Sequence, residues 1–471
     1  MGTDISKMNY TLAGVSIRKQ NEVNRAIKEK LNELGLAAEG LFGGAIDISH
    51  LKGNEHIPIG IISSSIVEDK DVVRAGRETA YAAFKRVKQG IIPIAILDYF
   101  ASAGMDVNEI PGFVEGVATA GLEINVPTIG GESAQMPGTY NEGKRDAYVH
   151  VIFHGNQGAV VDIANMIKGM ERPLLCASTD GTGTKTRIVK DPRDIIYHSS
   201  NDLGAIGAQP VAFAVYIAGN VPKKELEEIV TKSERICDTL GITSLDATVE
   251  LKPEKYAQGQ VDIAGTVIGV IDEQDMITGV DVKEGYVPIG LAADCLMTNG
   301  YSLAREYLEM IGEPKVGGLT QEAITRELSK PHVSYTDILF GNESAGGIIS
   351  MFKEIVKATA HITGGGQKDN IERMVPEGLC AVVQKEVLPL PPIVKYFKAN
   401  GADMNAMCET LNMGIGFTIT VPKEAAEGVI NYVNANFRYS VEGVDRQAAR
   451  IGTIERRGYG KPRFEFAEGG V

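Results

Sequence analysis

The sequence has little of several features that would each indicate a particular class of protein. Its 471 residues include only five cysteines, which are scattered, odd in number and without a C-x-x-C pair. This usage is typical of reduced thiols and argues against a disulfide framework or a zinc site. The seven histidines form no H-E-x-x-H or comparable cluster.

Long apolar runs and excess positive charge are also missing. No apolar run approaches the ~18 residues of a membrane span, and the first residues show no charged-then-apolar signal region. Lysine and arginine number 47 against 61 aspartates and glutamates, a net charge of −14. We therefore expect a cytoplasmic protein that binds neither nucleic acid nor membrane. A local basic pocket for a small phosphorylated ligand remains compatible with this charge.

The chain contains an internal repeat. Hydrophobic residues make up 44 % and charged residues 23 %, as in a globular protein, and the length predicts about three domains. Landmark residues recur in the same order in two consecutive segments, which favours a duplication over chance. The matched pairs are Gly90/Gly207, Pro93/Pro210, Tyr99/Tyr216, Ala101/Ala218, Pro137/Pro253, Tyr140/Tyr256, Gly143/Gly259 and Asp146/Asp262.

Each copy shows the same order of predicted elements: strand, helix, strand, amphipathic helix, strand. Runs of β-branched residues that alternate with helical periodicity make the fold α/β (α+β). We expect copy one over 1–157, copy two over 158–284 and a further α/β domain over 285–471. The predicted elements are 57–63, 72–88, 93–99, 108–120 and 147–153 in copy one, and 173–178, 195–206, 210–217, 223–240 and 263–271 in copy two.

The stretch STDGTGTK (178–185) resembles a phosphate-binding loop. The glycines at 181 and 183 let backbone N–H groups turn inward, which suits phosphate oxygens. Asp180 offers a carboxylate for Mg²⁺, and Asp202, next to Asn201 on the following helix, is a candidate second metal ligand. Lys185 can neutralise phosphate charge. A plain hairpin turn remains the alternative for this stretch.

The two copies lack complementary parts of this apparatus. Copy one has Ser65-Ile-Val-Glu where copy two has Asp180-Gly-Thr-Gly, and Phe84-Lys85 where copy two has Asn201-Asp202. Copy one instead keeps Gly130-Gly131-Glu132, and copy two has Asp246-Ala247-Thr248 in that place. Two incomplete halves could therefore form one complete site, with Glu132 facing the Asp180–Asp202 pair. Independent decay of the two halves is the alternative.

Taken together, these motifs resemble phosphoribosylformylglycinamidine cyclo-ligase, also called aminoimidazole ribonucleotide synthetase. Further stretches carry the likeness across nearly the whole chain: YTLAGVSI (10–17), GGESAQMPGTY (130–140), STDGTGTKTRI (178–188), NDLGAIGAQP (201–210), TNGYSLAR (298–305), AHITGGGQKDNIER (360–373) and LNMGIGF (411–417). The family enzyme is a homodimer whose N-terminal domains join their sheets into a barrel. The resemblance implies that this chain carries two such domains in tandem, as an internal pseudo-dimer. It leaves monomer and homodimer open.

The resemblance also implies an activity and a set of site residues. The family uses ATP to close the imidazole ring of formylglycinamidine ribonucleotide, giving ADP and phosphate. By this likeness ATP and Mg²⁺ are the cofactors, and Asp180, Asp202 and Glu132 are the metal ligands. His361 and Lys185 would be catalytic. ATP would contact Asp180, Gly181, Thr182, Gly183, Thr184, Lys185, Asn201, Asp202 and Glu132. The nucleotide substrate would contact Asn299, Gly300, Tyr301, Ser302, Thr363, Gly364, Gly365, Gly366 and Asn412.

Two departures from the family pattern keep other functions open. Met297 stands where the family usually has a histidine before its N-G-Y-S motif, and Glu409 stands where it has an arginine. Another ATP-using enzyme of the superfamily is the first alternative: a formylglycinamidine ribonucleotide synthetase, selenophosphate synthetase or thiamine-phosphate kinase. A nucleotide-binding regulator without turnover is the second.

Overall fold

The computed structural model describes residues 17–34, 44–104, 109–312, 319–437 and 447–467. The fold is mixed α/β, which confirms the predicted class. The family-like stretch at 10–16, and Asn108 at the start of a predicted helix, lie outside the described residues. The chain divides into two compact units: the first comprises 16–203 and 208–274, and the second consists mainly of 275–471.

The first unit holds both copies of the predicted repeat, and every predicted element occurs with ends shifted by a few residues. Helix ends follow local chemistry: the Asp71 side chain accepts hydrogen bonds from the backbone N–H groups of Val73 and Arg74 at the start of one helix, and Gly241, at φ 67°, ends another. The first set of elements is α1 Ile17–Glu33, β1 Gly44–Asp47, β2 Pro58–Ser65, α2 Val72–Arg86, β3 Ile92–Ser102, α3 Glu109–Glu123, β4 Thr128–Gln135 and β5 Arg145–His154. The second set is β6 Val161–Asp162, α4 Ala164–Ile167, β7 Pro173–Gly181, α5 Arg193–Ala205, β8 Gln209–Gly219, α6 Lys223–Leu240, β9 Thr243–Ser244, β10 Thr248–Leu251 and β11 Val261–Asp272.

The two sheets of this unit have the same topology. One contains the order β2-β5-β3-β4 and the other the order β7-β11-β8-β10. In each sheet the first two pairings are antiparallel and the last is parallel. This agreement supports the predicted duplication, which remains a prediction.

Each half contributes a short strand to the sheet of the other half. Strand β1 of the first half pairs with β7, while β6 of the second half pairs with β2. Apolar residues from both sheets then share one core, which includes Ile59 and Leu97 from the first half and Leu175 and Ile268 from the second. The exchanged strands and the common core therefore hold the two halves together as one body.

A symmetric polar seam joins the halves inside this body. Tyr99 and Tyr140 of the first half donate hydrogen bonds to Asp262 of the second, at 3.1 and 2.7 Å. The tyrosine hydroxyls at 216 and 256 donate to the carboxylate at 146, both at 2.9 Å. These residues are landmarks of the sequence repeat. Their recurrence is explained by reciprocal contacts across the seam, since each half supplies the donors for the carboxylate of the other.

The strand register corrects the sequence alignment of the two halves by one residue. We expected Ser65 at the place of Asp180. In each sheet, paired residues on neighbouring strands form a row. The row starts on β2, before α2, in the first half and on β7, before α5, in the second half. The rows are Ser64–Val149–Asp98 and Asp180–Gly265–Val215. Ser64 therefore holds the place of Asp180, because a shift of one residue would turn every side chain to the other face.

The second unit contains a four-stranded sheet and a three-stranded sheet with helices around them. The four strands follow the order β13-β15-β12-β16 and the three follow β17-β14-β18. Among the described residues, no helix is both long enough and apolar enough to cross a membrane. The elements are β12 Val287–Ala292, α7 Tyr301–Ile311, α8 Gln321–Ser329, α9 Thr336–Phe340, α10 Ile348–Met351, β13 Ala358–His361, α11 Gly366–Glu372, β14 Leu379–Val383, α12 Pro392–Ala399, α13 Met404–Cys408, β15 Ile415–Val421, α14 Ala426–Asn436, β16 Ala448–Arg450, β17 Gly452–Arg456 and β18 Phe464–Phe466.

Candidate active site

Acidic side chains from both halves meet in the first unit. Asp180 lies near the end of β7, and Asp202 is buried on α5, where Ser178 donates a hydrogen bond of 3.2 Å to its Oδ2. Glu132 lies on β4, the last strand of the other sheet, which runs beside β7. We call Glu132, Asp180 and Asp202 the carboxylate cluster. The strands that carry Glu132 and Asp180 are thus neighbours, and the composite site expected from the complementary halves remains a prediction.

Electrostatics show that Glu132 belongs to this cluster. Burial, followed by the negative charge of Asp180, raises the pKa of Glu132 well above its usual range. Asp202 adds to this rise, and a nearby positive charge on His198 opposes it. Like charges so close together favour protonation or a bound cation. The charges of Asp180 and Asp202 thus act on Glu132, and its direct contact with the pair remains a prediction.

His198 is a member of the site that the sequence analysis missed. Its Nε2 lies 2.8 Å from Asp180 Oδ2 and 3.7 Å from Asp202 Oδ2. Burial alone would lower its pKa, but the charges of Asp180, Asp202 and Glu132 outweigh burial and raise the pKa to about 9. The imidazole is therefore positively charged at neutral pH. The available signal was the spacing of His198 and Asp202, which places both on one face of a helix.

The predicted phosphate loop is more compact than an open loop. Strand β7 continues to Gly181, and a short 3-10 helix follows over Gly183–Arg187. Gly183 has a φ of 65°, which suits a glycine at the turn. Thr182 and Thr184 are buried beside it. The backbone turn that we expected after the strand is present, and its contact with phosphate remains a prediction.

The lysine of this loop differs from expectation. We expected Lys185 to be available to phosphate, but its side chain is fully buried and its Nζ lies 2.6 Å from Asp194 Oδ1. The 3-10 helix turns the side chain inward, where a paired carboxylate balances its charge. Asn201 is also fully buried, on α5. The structure thus places both residues in the framework beneath the loop, and their roles toward ATP remain predictions.

The carboxylate cluster has the donor chemistry that a divalent cation requires. Mg²⁺ prefers carboxylate and water ligands, and three carboxylates converge here. They come from two sheets and one helix, so the fold holds them together despite their mutual repulsion. In this structure the positive charge of His198 offsets part of that repulsion. These side chains have the donor chemistry of the predicted metal, and Asp180, Asp202 and Glu132 remain its predicted ligands.

Three predicted substrate motifs converge in the second unit. A side chain on Gly300 would collide with Leu411, and one on Gly366 would collide with backbone oxygens of the same segment, Cys408 and Leu411. A side chain on Gly364 would touch the amide of Asn299. We call residues 298–302, 363–366 and 411–413 the glycine-motif cluster. Gly300 and Gly366 are required because the chain segments pass too closely there for a Cβ atom.

Several polar residues of this cluster support its backbone. Asn412 donates to the carbonyl of Cys295 at 2.9 Å and accepts from the N–H of Gly414 at 2.8 Å. Tyr301 is buried and donates to the carbonyl of Leu328. For these two residues the structure shows a framework role in place of an open position toward substrate. Their predicted contact with substrate is not seen in the geometry and stays a prediction.

Asn370, which the sequence analysis did not single out, organises the T-G-G-G turn. Its Nδ2 donates to the carbonyls of Gly364 and Gly366 at 3.2 and 2.7 Å, and its Oδ1 accepts from Thr363 at 3.2 Å. Gly365 and Gly366 both have positive φ angles, which allow the turn. Ser302 is buried nearby, at the start of α7. The available signal for Asn370 was its position four residues after Gly366, one turn along a helix.

His361 ends β13 directly before this turn and is buried against a second histidine. Its Nε2 lies 3.0 Å from His332 Nε2, so one ring donates a hydrogen bond to the other. The Nδ1 of His332 lies 3.3 Å from Thr298 Oγ1 in the glycine-motif cluster. The three side chains form a polar chain that reaches the cluster. His332 was another residue that the sequence analysis missed.

The structure shows the surroundings of Met297 and Glu409, the two departures from the family pattern. Met297 and Met413 both adopt the left-handed backbone region, at φ 61° and 54°, which side chains other than glycine rarely occupy. Such strain tends to gather at functional sites. Glu409 is exposed beside the Gly366 turn. The glycine-motif cluster is therefore strained and carries a negative charge at its edge.

Comparison with protein families agrees with this architecture. The description AIR synthase related protein, N-terminal domain, matches residues 87–154 and again 155–271. The description AIR synthase related protein, C-terminal domain, matches residues 284–464. The chain belongs to the AIR synthase related family.

Several curated relatives carry the name of one enzyme. The chain is 30 % identical over 293 residues to the phosphoribosylformylglycinamidine cyclo-ligase of Synechococcus sp. (strain CC9902), covering 60 % of this chain and 83 % of the relative. It is 31 % identical over 317 residues to the enzyme of the same name from Alkaliphilus oremlandii (strain OhILAs), covering 62 % of this chain and 90 % of the relative. These relatives are similar in sequence over most of their own length.

Solved structures with a similar fold include E. coli HypE, at 20 % identity and a TM-score of 0.47, covering 67 % of this chain and 88 % of that one. Thiamine-monophosphate kinase from Stenotrophomonas maltophilia K279a matches at 14 % identity and a TM-score of 0.44, covering 64 % and 86 %. Similarity at this level carries no argument about activity.

Proposed function

We propose that the protein closes the imidazole ring of formylglycinamidine ribonucleotide at the expense of ATP, giving aminoimidazole ribonucleotide, ADP and phosphate. The observation that carries the proposal is the carboxylate cluster, in which Glu132 from one half meets Asp180 and Asp202 from the other. Membership of the family and the names of its curated relatives support the choice of reaction.

The reaction has two chemical steps, a phosphoryl transfer and a ring closure. The γ-phosphoryl group of ATP passes to the formyl amide oxygen and ADP leaves. The amidine nitrogen then adds to the formyl carbon, loses a proton, and phosphate departs with the former amide oxygen. The protein must align the reacting atoms and balance the phosphoryl charge, because the chemistry requires little else.

The carboxylate cluster would bind the nucleotide end of this reaction. Mg²⁺ held by Asp180, Asp202 and Glu132 would neutralise phosphate charge when it is bound. Backbone N–H groups of residues 181–184 would orient the phosphates. The buried Lys185–Asp194 pair would keep the 3-10 helix in place beneath them.

The glycine-motif cluster would bind the ribonucleotide substrate. Its closely packed turns offer backbone N–H groups, and Asn299, Ser302 and Thr363 offer side-chain hydrogen bonds. His361 lies directly before the turn and would accept the proton that the amidine nitrogen loses. Its contact with His332 fixes the imidazole in one orientation.

Glu409 favours a second candidate, another ATP-dependent reaction on a less anionic substrate. Its exposed carboxylate lies beside the Gly366 turn and would repel a substrate phosphate there. A panel of amidine, amide and phosphate-ester substrates, assayed by ADP release, separates this candidate from ring closure.

The decisive experiment measures ADP and aminoimidazole ribonucleotide together for three variants. Asp202→Ala and Glu132→Ala should each abolish both products, because each removes one carboxylate from the cluster. Thr248→Ala is the matched control, since Thr248 holds the place of Glu132 in the other half. It should retain activity. Full activity in both carboxylate variants would refute the proposal.

A further inference from the structure

The carboxylate cluster contains a nitrogen atom as well as oxygen atoms. The imidazole of His198 is buried on α5 and directs Nε2 at Asp180 Oδ2, 2.8 Å away, and at Asp202 Oδ2, 3.7 Å away. Two aspartates therefore lie within ion-pair distance of it, and Glu132 acts on it from β4. A ring nitrogen in this position can carry a proton or a metal, but not both.

The distances fit shared coordination. Two ligands on adjacent corners of an octahedron, each about 2.1 Å from the metal, lie about 3 Å apart. The separation of His198 Nε2 and Asp180 Oδ2 is already close to this value. A cation that replaces the shared proton could thus bind both atoms with little movement of the backbone. Asp202 lies one helical turn from His198, with its Oδ2 3.7 Å from the same nitrogen.

We propose that His198 is a nitrogen ligand of the divalent cation at the carboxylate cluster, and that it biases the site toward Mn²⁺ and related first-row ions over Mg²⁺. The inference rests on the metal role in the proposed function. Its chemical basis is ligand preference: imidazole suits transition metals, whereas Mg²⁺ favours oxygen ligands. An all-carboxylate cluster would lack this preference.

The test uses the full chain and Mn²⁺ alone, without nucleotide. Pulsed electron paramagnetic resonance of bound Mn²⁺ should reveal coupling to ¹⁴N in the wild-type protein. His198→Gln should abolish this coupling and weaken Mn²⁺ binding by at least about tenfold, while Mg²⁺ binding, measured by competition, changes by less. Gln keeps a side-chain N–H donor for Asp180, so a purely structural role for His198 would survive the change.

A matched control is His56→Gln. His56 also contacts an aspartate, with Nδ1 2.8 Å from Asp162 Oδ2, but it is exposed. This variant should retain both the ¹⁴N coupling and the Mn²⁺ affinity.

Each outcome decides the inference. Bound Mn²⁺ without ¹⁴N coupling, or unchanged Mn²⁺ affinity in His198→Gln, overturns it and leaves the proposed reaction intact. Absence of any divalent binding overturns both the inference and the metal role. A protein that shows the coupling but makes no aminoimidazole ribonucleotide would refute the reaction alone.

Discussion

Asp98 explains why a glycine precedes Glu132. The Asp98 side chain is buried on β3, directly beside Gly131 on β4. A Cβ on Gly131 would fall 2.0 Å from Asp98 Oδ1, whereas one on Gly130 would make an ordinary contact of 3.6 Å with Leu97. The carboxyl group of Asp98 thus occupies the space that a side chain at 131 would need.

We expect Gly131→Ala to reduce ring closure strongly, because the strand that carries Glu132 must shift to relieve the collision. Gly130→Ala is the control and should retain most activity, since its new methyl group has room. Steady-state ADP release by the two variants tests the difference. Equal loss in both would mean that the close approach of Asp98 does not position Glu132.

Asp98 also predicts a pH-dependent effect on stability. Burial raises its pKa from 3.8 to about 7, and its Oδ2 has no hydrogen-bond partner among the described residues. The folded state therefore retains a proton that the unfolded chain loses above about pH 4. The resulting loss of stability grows from about pH 4 to about pH 7 and is then constant.

Asp98→Asn should therefore stabilise the protein above pH 7 and change little at pH 4. The gain has an upper limit of about 4 kcal/mol, from roughly three pKa units at about 1.4 kcal/mol each. Urea unfolding at pH 4 and pH 8 measures the effect. A variant that is less stable than the wild type at both values would contradict it.

In the polar seam, each buried carboxylate accepts hydrogen bonds from two tyrosines, but within the described residues only Asp146 is also in contact with lysines. Lys252 and Lys255 contact Asp146 at 2.8 and 3.1 Å, and lower its pKa although burial opposes this. In the part of the chain that the structure describes, no lysine or arginine contacts Asp262, and burial raises its pKa to about 6. The two seam carboxylates thus occupy matched positions with different charge balance.

Asp146→Asn should destabilise the protein more than Asp262→Asn. Removing the Asp146 charge leaves two buried lysines with less compensation, which we expect to cost about 3 kcal/mol. Asp262→Asn replaces a carboxyl that already protonates readily, so near pH 5 it should cost about 1 kcal/mol or less. Chemical denaturation of the two variants at pH 5 provides the comparison. Equal losses would refute the assigned asymmetry.

The sequence predicted the long elements because their patterns are strong. Periods of two and of 3.6 residues located the strands and helices of both halves within a few residues. The exchanged strands β1 and β6 were not predicted, because four and two residues carry no usable period. The one-residue shift at Ser64 was missed for a related reason: the register depends on pairing with β5, which sequence alone does not specify.

The candidate site was predicted in part. Glu132, Asp180 and Asp202 were selected because the two halves lack complementary motifs, and in the structure the charges of Asp180 and Asp202 raise the pKa of Glu132. His198 was missed because its spacing from Asp202 indicates a shared helix face but does not show that the imidazole reaches Asp180. The burial of Lys185 was also unforeseen, since its pairing with Asp194 depends on how the 3-10 helix turns.

At the scale of the whole molecule, the two halves differ at the position where a second nucleotide could bind. Ser64 replaces Asp180, and Thr248 replaces Glu132. Close to that position, Ser65 donates to Glu250 at 2.6 Å, and Lys255 contacts Glu68 at 2.6 Å. The carboxylate cluster therefore lies on one side of the seam, and an internal hydrogen bond and an internal ion pair lie on the other.

We accordingly predict one nucleotide bound per chain. Titration calorimetry with Mg²⁺ and a non-hydrolysable ATP analogue should give a stoichiometry near one, whatever the oligomeric state. Asp202→Ala should remove that binding, whereas Glu68→Ala should not restore a second site, because it adds no carboxylate at the place of Asp180. A stoichiometry near two would contradict the prediction.

The lysines at the seam have a consequence for how this protein can vary. In an assembly of identical subunits, any substitution at a symmetric contact appears on both sides of the axis at once. Here the two sides are encoded separately, so Lys252 and Lys255 face Asp146 without a copy facing Asp262. A change that would be harmful when doubled can then be tolerated when single. Each half can be altered for a different task while the other preserves the common architecture.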